Sequence, residues 1–110
     1  MEKIIRNIGK NRGKKRIWIE GKALSKLGWT KGTSYVQGNF GNLTPYLSYI
    51  HLIKGKKAED ASFVTCKRIA GTETRPIIDL CGNYVAKLFK GYKTVQIHIT
   101  TNSIEIEGKE

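Results

Sequence analysis

Apolar and polar positions alternate along this chain in a pattern that occurs twice. In Arg16-Ile17-Trp18-Ile19-Glu20 they alternate at period two, as in a strand with one buried face. Ile17 and Ile19 then lie toward the core, and Trp18 faces outward. Gly21 breaks the strand. Leu24 and Leu27 follow on the buried side of a short helix expected over residues 22–27, with Gly28 as its stop. Upstream, residues 3–8 read as a strand and residues 9–15 as a polar loop whose two glycines permit a tight connection. At an offset of 61 the same order returns: Ile8 falls on Ile69, Ile17 on Ile78, Ile19 on Leu80, Gly21 on Gly82, Leu24 on Val85 and Leu27 on Leu88. The second copy therefore predicts a strand over 63–69, a loop over 70–74, a strand over 76–80 and a helix over 83–88, ended by Lys90-Gly91-Tyr92.

Each helix leads into further strands. After the first come a strand around residues 35–37, a Gly- and Asn-rich loop through Pro45, and a strand over 46–53. After the second, residues 95–99 and 104–107 flank the turn 100–103 and read as a hairpin. The chain thus divides into a first repeat (1–53), a charged connector (54–61) and a second repeat (62–110). Units of this size are marginal alone, so the two are expected to share one core.

Charge changes the picture. The 110 residues carry 20 Lys and Arg against 9 Asp and Glu, a net charge of +11 that favours polyanionic partners. Residues 1–61 hold 13 of the basic residues and 4 of the acids, residues 62–110 hold 7 and 5, so the first copy and the connector carry most of the field. Lys3, Arg6, Lys10, Arg12, Lys14, Lys15 and Arg16 follow one another with no acid between them. On a single strand–loop–strand they would release condensed counterions from a phosphate backbone. Arg12 and Arg16 suit bidentate contact with guanine and Asn11 suits adenine, though Asn11 reads equally as a plain turn residue. In the second copy the counterparts are Lys67, Arg68 and Arg75, with Thr72 and Thr74 as hydroxyl donors to phosphate. The run Lys54–Lys57 reads first as solvated connector and second as a phosphate contact. Trp18 offers a stacking face or a protein anchor; the favoured reading buries it against the second copy, where Asp79 is the aligned residue. Tyr46 and Tyr49 read as packing residues.

Other chemistry is not expected. His51 and His98 sit mid-strand among apolar neighbours and read as structural. No nucleophile–base arrangement, phosphate-cradling glycine loop or metal-ligand spacing occurs, so no catalytic residue, metal or cofactor is assigned. Cys66 and Cys81 form no CxxC motif and read as reduced thiols. Without a signal-peptide core or an apolar run near 18 residues, a soluble cytoplasmic protein with no membrane partner is expected.

The first copy resembles the AbrB/MazE/SpoVT group of swapped-hairpin DNA-binding domains in Ile8-Gly9-Lys10-Asn11-Arg12-Gly13, Arg16-Ile17-Trp18-Ile19, the stretch from Leu24 to Gly28, and that from Gly32 to Val36. The second is similar to the SymE-like branch in Arg75-Pro76-Ile77-Ile78-Asp79-Leu80, Gly82, Val85, Leu88, Gly91-Tyr92 and the terminal hairpin. The sequence departs from the family pattern where Glu20 replaces a usual proline, where the loop at 38–45 is long, and where Glu73 occupies the place of Arg12. The resemblance implies a mostly-β fold with two short helices: a tandem swapped-hairpin β-barrel forming an intrachain pseudo-dimer, with a homodimer of chains as the alternative. It implies a transcription regulator docking basic strand–loop–strand segments on duplex DNA. Because the chain ends at Glu110, directly after its last strand, the acidic tail by which antitoxins of this group hold a toxin is not expected. RNA binding or a SymE-like toxin is a second class. A third is a phage-type module that uses the basic face against an acidic host protein, as an inhibitor of a nucleic-acid enzyme.

Overall fold

The computed structural model describes residues 2–37, 49–55, 62–70 and 73–109. Along the chain run β1 (Glu2–Asn7), β2 (Gly9–Asn11), β3 (Lys14–Glu20), α1 (Lys22–Ser25), β4 (Ser34–Gln37), β5 (Tyr49–Lys54), β6 (Ser62–Phe63), β7 (Thr65–Ala70), β8 (Glu73–Cys81), α2 (Asn83–Leu88), β9 (Thr94–Ile99) and β10 (Ser103–Lys109). The strands build two antiparallel sheets, a six-stranded one ordered β1-β9-β10-β5-β4-β6 and a four-stranded one ordered β2-β3-β8-β7. The expected mostly-β fold with two short helices is therefore present, but the described strands form two open sheets and not the expected closed barrel. In each repeat the leading strand is interrupted, at Ile8 and at Val64, and the pieces on either side join different sheets. Backbone hydrogen bonds fix both breaks: Ile8 N–H donates to Lys93 O and Val64 N–H to Thr33 O, each at 2.9 Å.

Both sheets interleave the repeats, and each strand order reads the same from either end once a strand is exchanged for its counterpart. β1 mirrors β6, β9 mirrors β4, and β10 mirrors β5; in the smaller sheet β2 mirrors β7 and β3 mirrors β8. The register is consistent with this. Trp18 lies opposite Asp79, its own counterpart at the offset of 61, and Ile17 and Ile19 lie opposite Leu80 and Ile78. The helices begin at counterpart positions, Lys22 and Asn83, behind Gly21 and Gly82. Gly21 N–H donates to Pro76 O and Gly82 N–H donates to Lys15 O, both at 3.2 Å, so each copy anchors the other's helix entry.

Alternate residues of each sheet meet in one core. Ile17 and Ile19 of β3 and Ile78 and Leu80 of β8 pack with Ile50 and Leu52 of β5, Val95, Ile97 and Ile99 of β9, and Ile104 and Ile106 of β10; Leu24, Val85 and Leu88 add the helices. Among the described residues nineteen apolar side chains are buried, each contributing about 1.5–3 kcal/mol, and this burial is the main force holding the two sheets together.

The helix expected over 22–27 is shorter, ending at Ser25. Leu27 packs against the core beyond it, and Gly28 adopts φ +82°. Directly afterwards Trp29 is fully buried, and its Nε1–H donates to Thr100 O at 2.8 Å. Lys54 Nζ lies 4.9 Å from the Trp29 ring centroid and donates to Leu27 O at 2.9 Å. Lys54 thus belongs to β5 and to the core margin rather than to a solvated connector, and burial lowers its pKa. The long loop at 38–45, Tyr46 and the connector beyond residue 55 lie outside the described residues.

Candidate nucleic-acid interface

The segment read as a polar loop over residues 9–15 is a β-hairpin. β2 pairs with the start of β3, Gly9 opposite Arg16, Lys10 opposite Lys15 and Asn11 opposite Lys14. Only Arg12 and Gly13 remain for the turn, and both take positive φ, +53° and +81°. A two-residue hairpin connection needs that left-handed pair because its twist matches the strands, and Asn-Gly is the usual solution. Arg at the first position carries the steric penalty of a left-handed L-residue, of order 1–2 kcal/mol. A cross-strand pair of lysines, Lys10 and Lys15, is also destabilising in a bare hairpin. Neither choice helps the fold, whereas both place cations at an exposed tip.

Lys10, Asn11, Arg12 and Lys14 are exposed there and Lys15 is half-buried. Asn11 is paired in β2 and is therefore not itself a turn residue. Among the described residues the ion pairs are Arg16–Asp79 and Lys26–Glu2, and Glu107 lies beside His98, so no carboxylate holds the four cations Lys10, Arg12, Lys14 and Lys15. Lys3 and Arg6 are exposed on β1, at the edge of the other sheet.

Arg16 behaves differently from the other basic residues of the segment. Its Nε and Nη2 donate to Asp79 Oδ1 and Oδ2 at 2.9 and 3.0 Å, a two-pronged pair across β3 and β8. Its guanidinium carbon lies 4.2 Å from the Trp18 ring centroid, and the hydrogen bond to Asp79 raises its pKa. The fork that would read a guanine is therefore already engaged by the second copy's acid. Trp18 is half-buried rather than buried; it lies opposite Asp79, the residue aligned with it by the repeat, with Arg16 over its ring. We expect Asp79→Asn to strengthen duplex binding several-fold at low salt by freeing that fork. Fluorescence anisotropy would measure this, and the melting temperature should scarcely move because a half-exposed pair contributes about 0–1 kcal/mol.

In the second copy Arg75 is exposed on β8, opposite Lys67 of β7; β7 also carries Arg68, opposite Thr74. The backbone of Lys67 and Arg68 is described and their side chains are not; Thr72 lies outside the described residues. The second hairpin is not a copy of the first. Ile77 faces Thr65 where strict repetition would place Ala70, and a bulge falls between Arg68 and Ala70. Glu73 opens β8, opposite Ala70. Since β3 and β8 run antiparallel through the Trp18–Asp79 pair, the first turn and Glu73 lie at opposite ends of the smaller sheet. At about 3.3 Å per residue, Lys14 and Glu73 are roughly 33 Å apart along it.

The outer face of the six-stranded sheet carries charges of both signs, Glu105 and Glu107 beside Lys3 and Lys109. Glu105 lies opposite His51 and Glu107 opposite Tyr49. Gln96 Nε2 donates to Glu107 Oε1 at 3.0 Å, and His98 Nε2 lies 3.4 Å from the same oxygen. Burial, and then the hydrogen bond with Glu105, push the Tyr49 phenol up to about 12. The molecule therefore carries a basic hairpin on one sheet, whereas on the outer face of the other the two glutamates are matched by Lys3 and Lys109.

Among the described residues no cluster of three or more His, Cys, Asp or Glu is placed to hold a metal, and no helix is long and apolar enough to cross a membrane. Cys81 is a free, half-buried thiol. No family model, no curated protein and no solved structure matches the chain.

Proposed function

We propose that the chain is a small DNA-binding protein, a transcription regulator that lays the β2–β3 hairpin on duplex DNA, and that its two repeats act as an intrachain swapped-hairpin pseudo-dimer of the AbrB/MazE/SpoVT kind. The observation that carries this reading is the exposed hairpin with Lys10, Arg12, Lys14 and Lys15 and no carboxylate partner, built at a cost to local stability. The mirrored strand orders and the Trp18–Asp79 register support the pseudo-dimer. The separation of roughly 33 Å between the ends of the smaller sheet is close to the ~34–36 Å between half-sites one helical turn apart. Glu73 at the second end makes contact there weaker than at the first. The mechanism is steric occupancy of an operator, with Lys10, Lys14 and Lys15 setting affinity and Arg12, with Asn11, setting preference.

Anisotropy titrations of one sequence as duplex DNA and as duplex RNA, beside heparin, at 50 and 200 mM salt test the reading. The expected result is preference for DNA and a fall in affinity as salt rises. Tighter binding to the RNA duplex, or retention on heparin alone, would overturn it.

A further inference from the structure

A pocket of about 290 Å³ opens between the first hairpin and α2, lined by Ile8, Lys15, Val85, Ala86, Phe89, Lys90, Gly91, Tyr92 and Lys93. Its size is at the lower end of small-molecule sites, about 300–1,000 Å³. Its walls are apolar and fixed. Phe89 is 3 % exposed. The Tyr92 ring rests on Gly108 of β10, so closely that a Cβ there would stand 2.8 Å from it. Tyr92 N–H donates to Phe89 O at 3.0 Å, and Ile8 N–H to Lys93 O at 2.9 Å, which ties three sides of the pocket together. Three lysines, Lys15, Lys90 and Lys93, reach its lining, and no acid does.

An apolar, aromatic-walled cavity with only cations among its charged lining residues selects a ligand with a matching division of character: a flat apolar body and one negative charge. The Tyr92 ring favours an aromatic body through an offset or edge-to-face contact, and three lysines in the lining favour a carboxylate over its neutral isostere. We propose that this pocket binds a small aromatic carboxylate, with the ring against Tyr92 and the carboxylate drawn to Lys15, Lys90 and Lys93. The site shares Lys15 with the basic hairpin but does not rest on the nucleic-acid reading, because its occupancy is measurable with no nucleic acid present.

The probes are 2-naphthoate and 2-naphthamide, matched in shape and differing in charge, titrated into the full chain and followed by amide chemical shifts. Saturable shifts centred on Ile8, Ala86, Gly91 and Lys93 are expected with naphthoate, and affinity for the amide should be at least about tenfold lower. Ala86→Trp, which adds bulk to the pocket from an exposed position on α2, should abolish these shifts. If that variant does not fold, the double variant Lys90→Gln, Lys93→Gln should weaken naphthoate about tenfold and leave naphthamide unchanged. Equal affinity for the two probes, absence of saturable shifts, shifts centred elsewhere, or naphthoate binding undiminished by either variant would overturn the assignment.

Discussion

Trp29→Ala is expected to unfold the chain or bring it to the edge of unfolding. The substitution empties a fully buried site, at a typical cost of about 3–5 kcal/mol, and leaves Thr100 O without the indole donor, which adds about 1 kcal/mol. It also removes the ring over which Lys54 is held. Small domains are stable by only about 5–15 kcal/mol, so the loss takes most of that margin. Urea denaturation followed by far-ultraviolet circular dichroism measures it. Trp29→Phe should be milder, because it restores most of the volume and forfeits the hydrogen bond. Near-equal stability of the Ala variant and the parent would mean that Trp29 does not join the two copies as described.

The second large effect concerns the hairpin. Replacing Lys10, Arg12 and Lys14 together with Gln should lower the slope of log affinity against log salt by about 2.7, at about 0.9 per lost phosphate contact. Acting through counterion release alone, that corresponds to roughly 500-fold weaker duplex DNA binding at 0.1 M salt. The fold should not suffer, since the substitutions relieve the Lys10–Lys15 repulsion and add none. A triple variant that melts like the parent and binds DNA equally well would remove the hairpin from the interface.

The parts of this molecule legible in its sequence are those where burial imposes a period. Ile17, Ile19, Ile78 and Leu80 alternate because one face of β3 and β8 packs on the core, and Leu24, Val85 and Leu88 hold helical spacing for the same reason. The offset of 61 even aligned Trp18 with the residue it faces. The hairpin over 9–16 was hidden because its short strand β2 buries nothing: Lys10 and Asn11 are exposed, and Arg-Gly replaces the usual Asn-Gly signal. Trp29 lies outside the repeated pattern, and its partner Thr100 is 71 residues away, a separation no local pattern reports. The engagement of Arg16 by Asp79 spans 63 residues. A sharper signal was present in the alignment itself, which put an acid opposite Trp18, two residues from Arg16 on the same strand face. The change of sheet at Ile8 and at Val64 was not legible, because an apolar residue continues the strand pattern there.

Amide hydrogen exchange of the full chain, with and without a duplex DNA that it binds, locates the interface directly. The expected result is added protection concentrated on residues 9–16, weaker protection near Glu73, and none on the outer face of the six-stranded sheet around Glu105 and Glu107. Protection centred on that outer face, or bound DNA that leaves residues 9–16 exchanging as in the free protein, would contradict the assignment of the hairpin as the DNA-contacting surface.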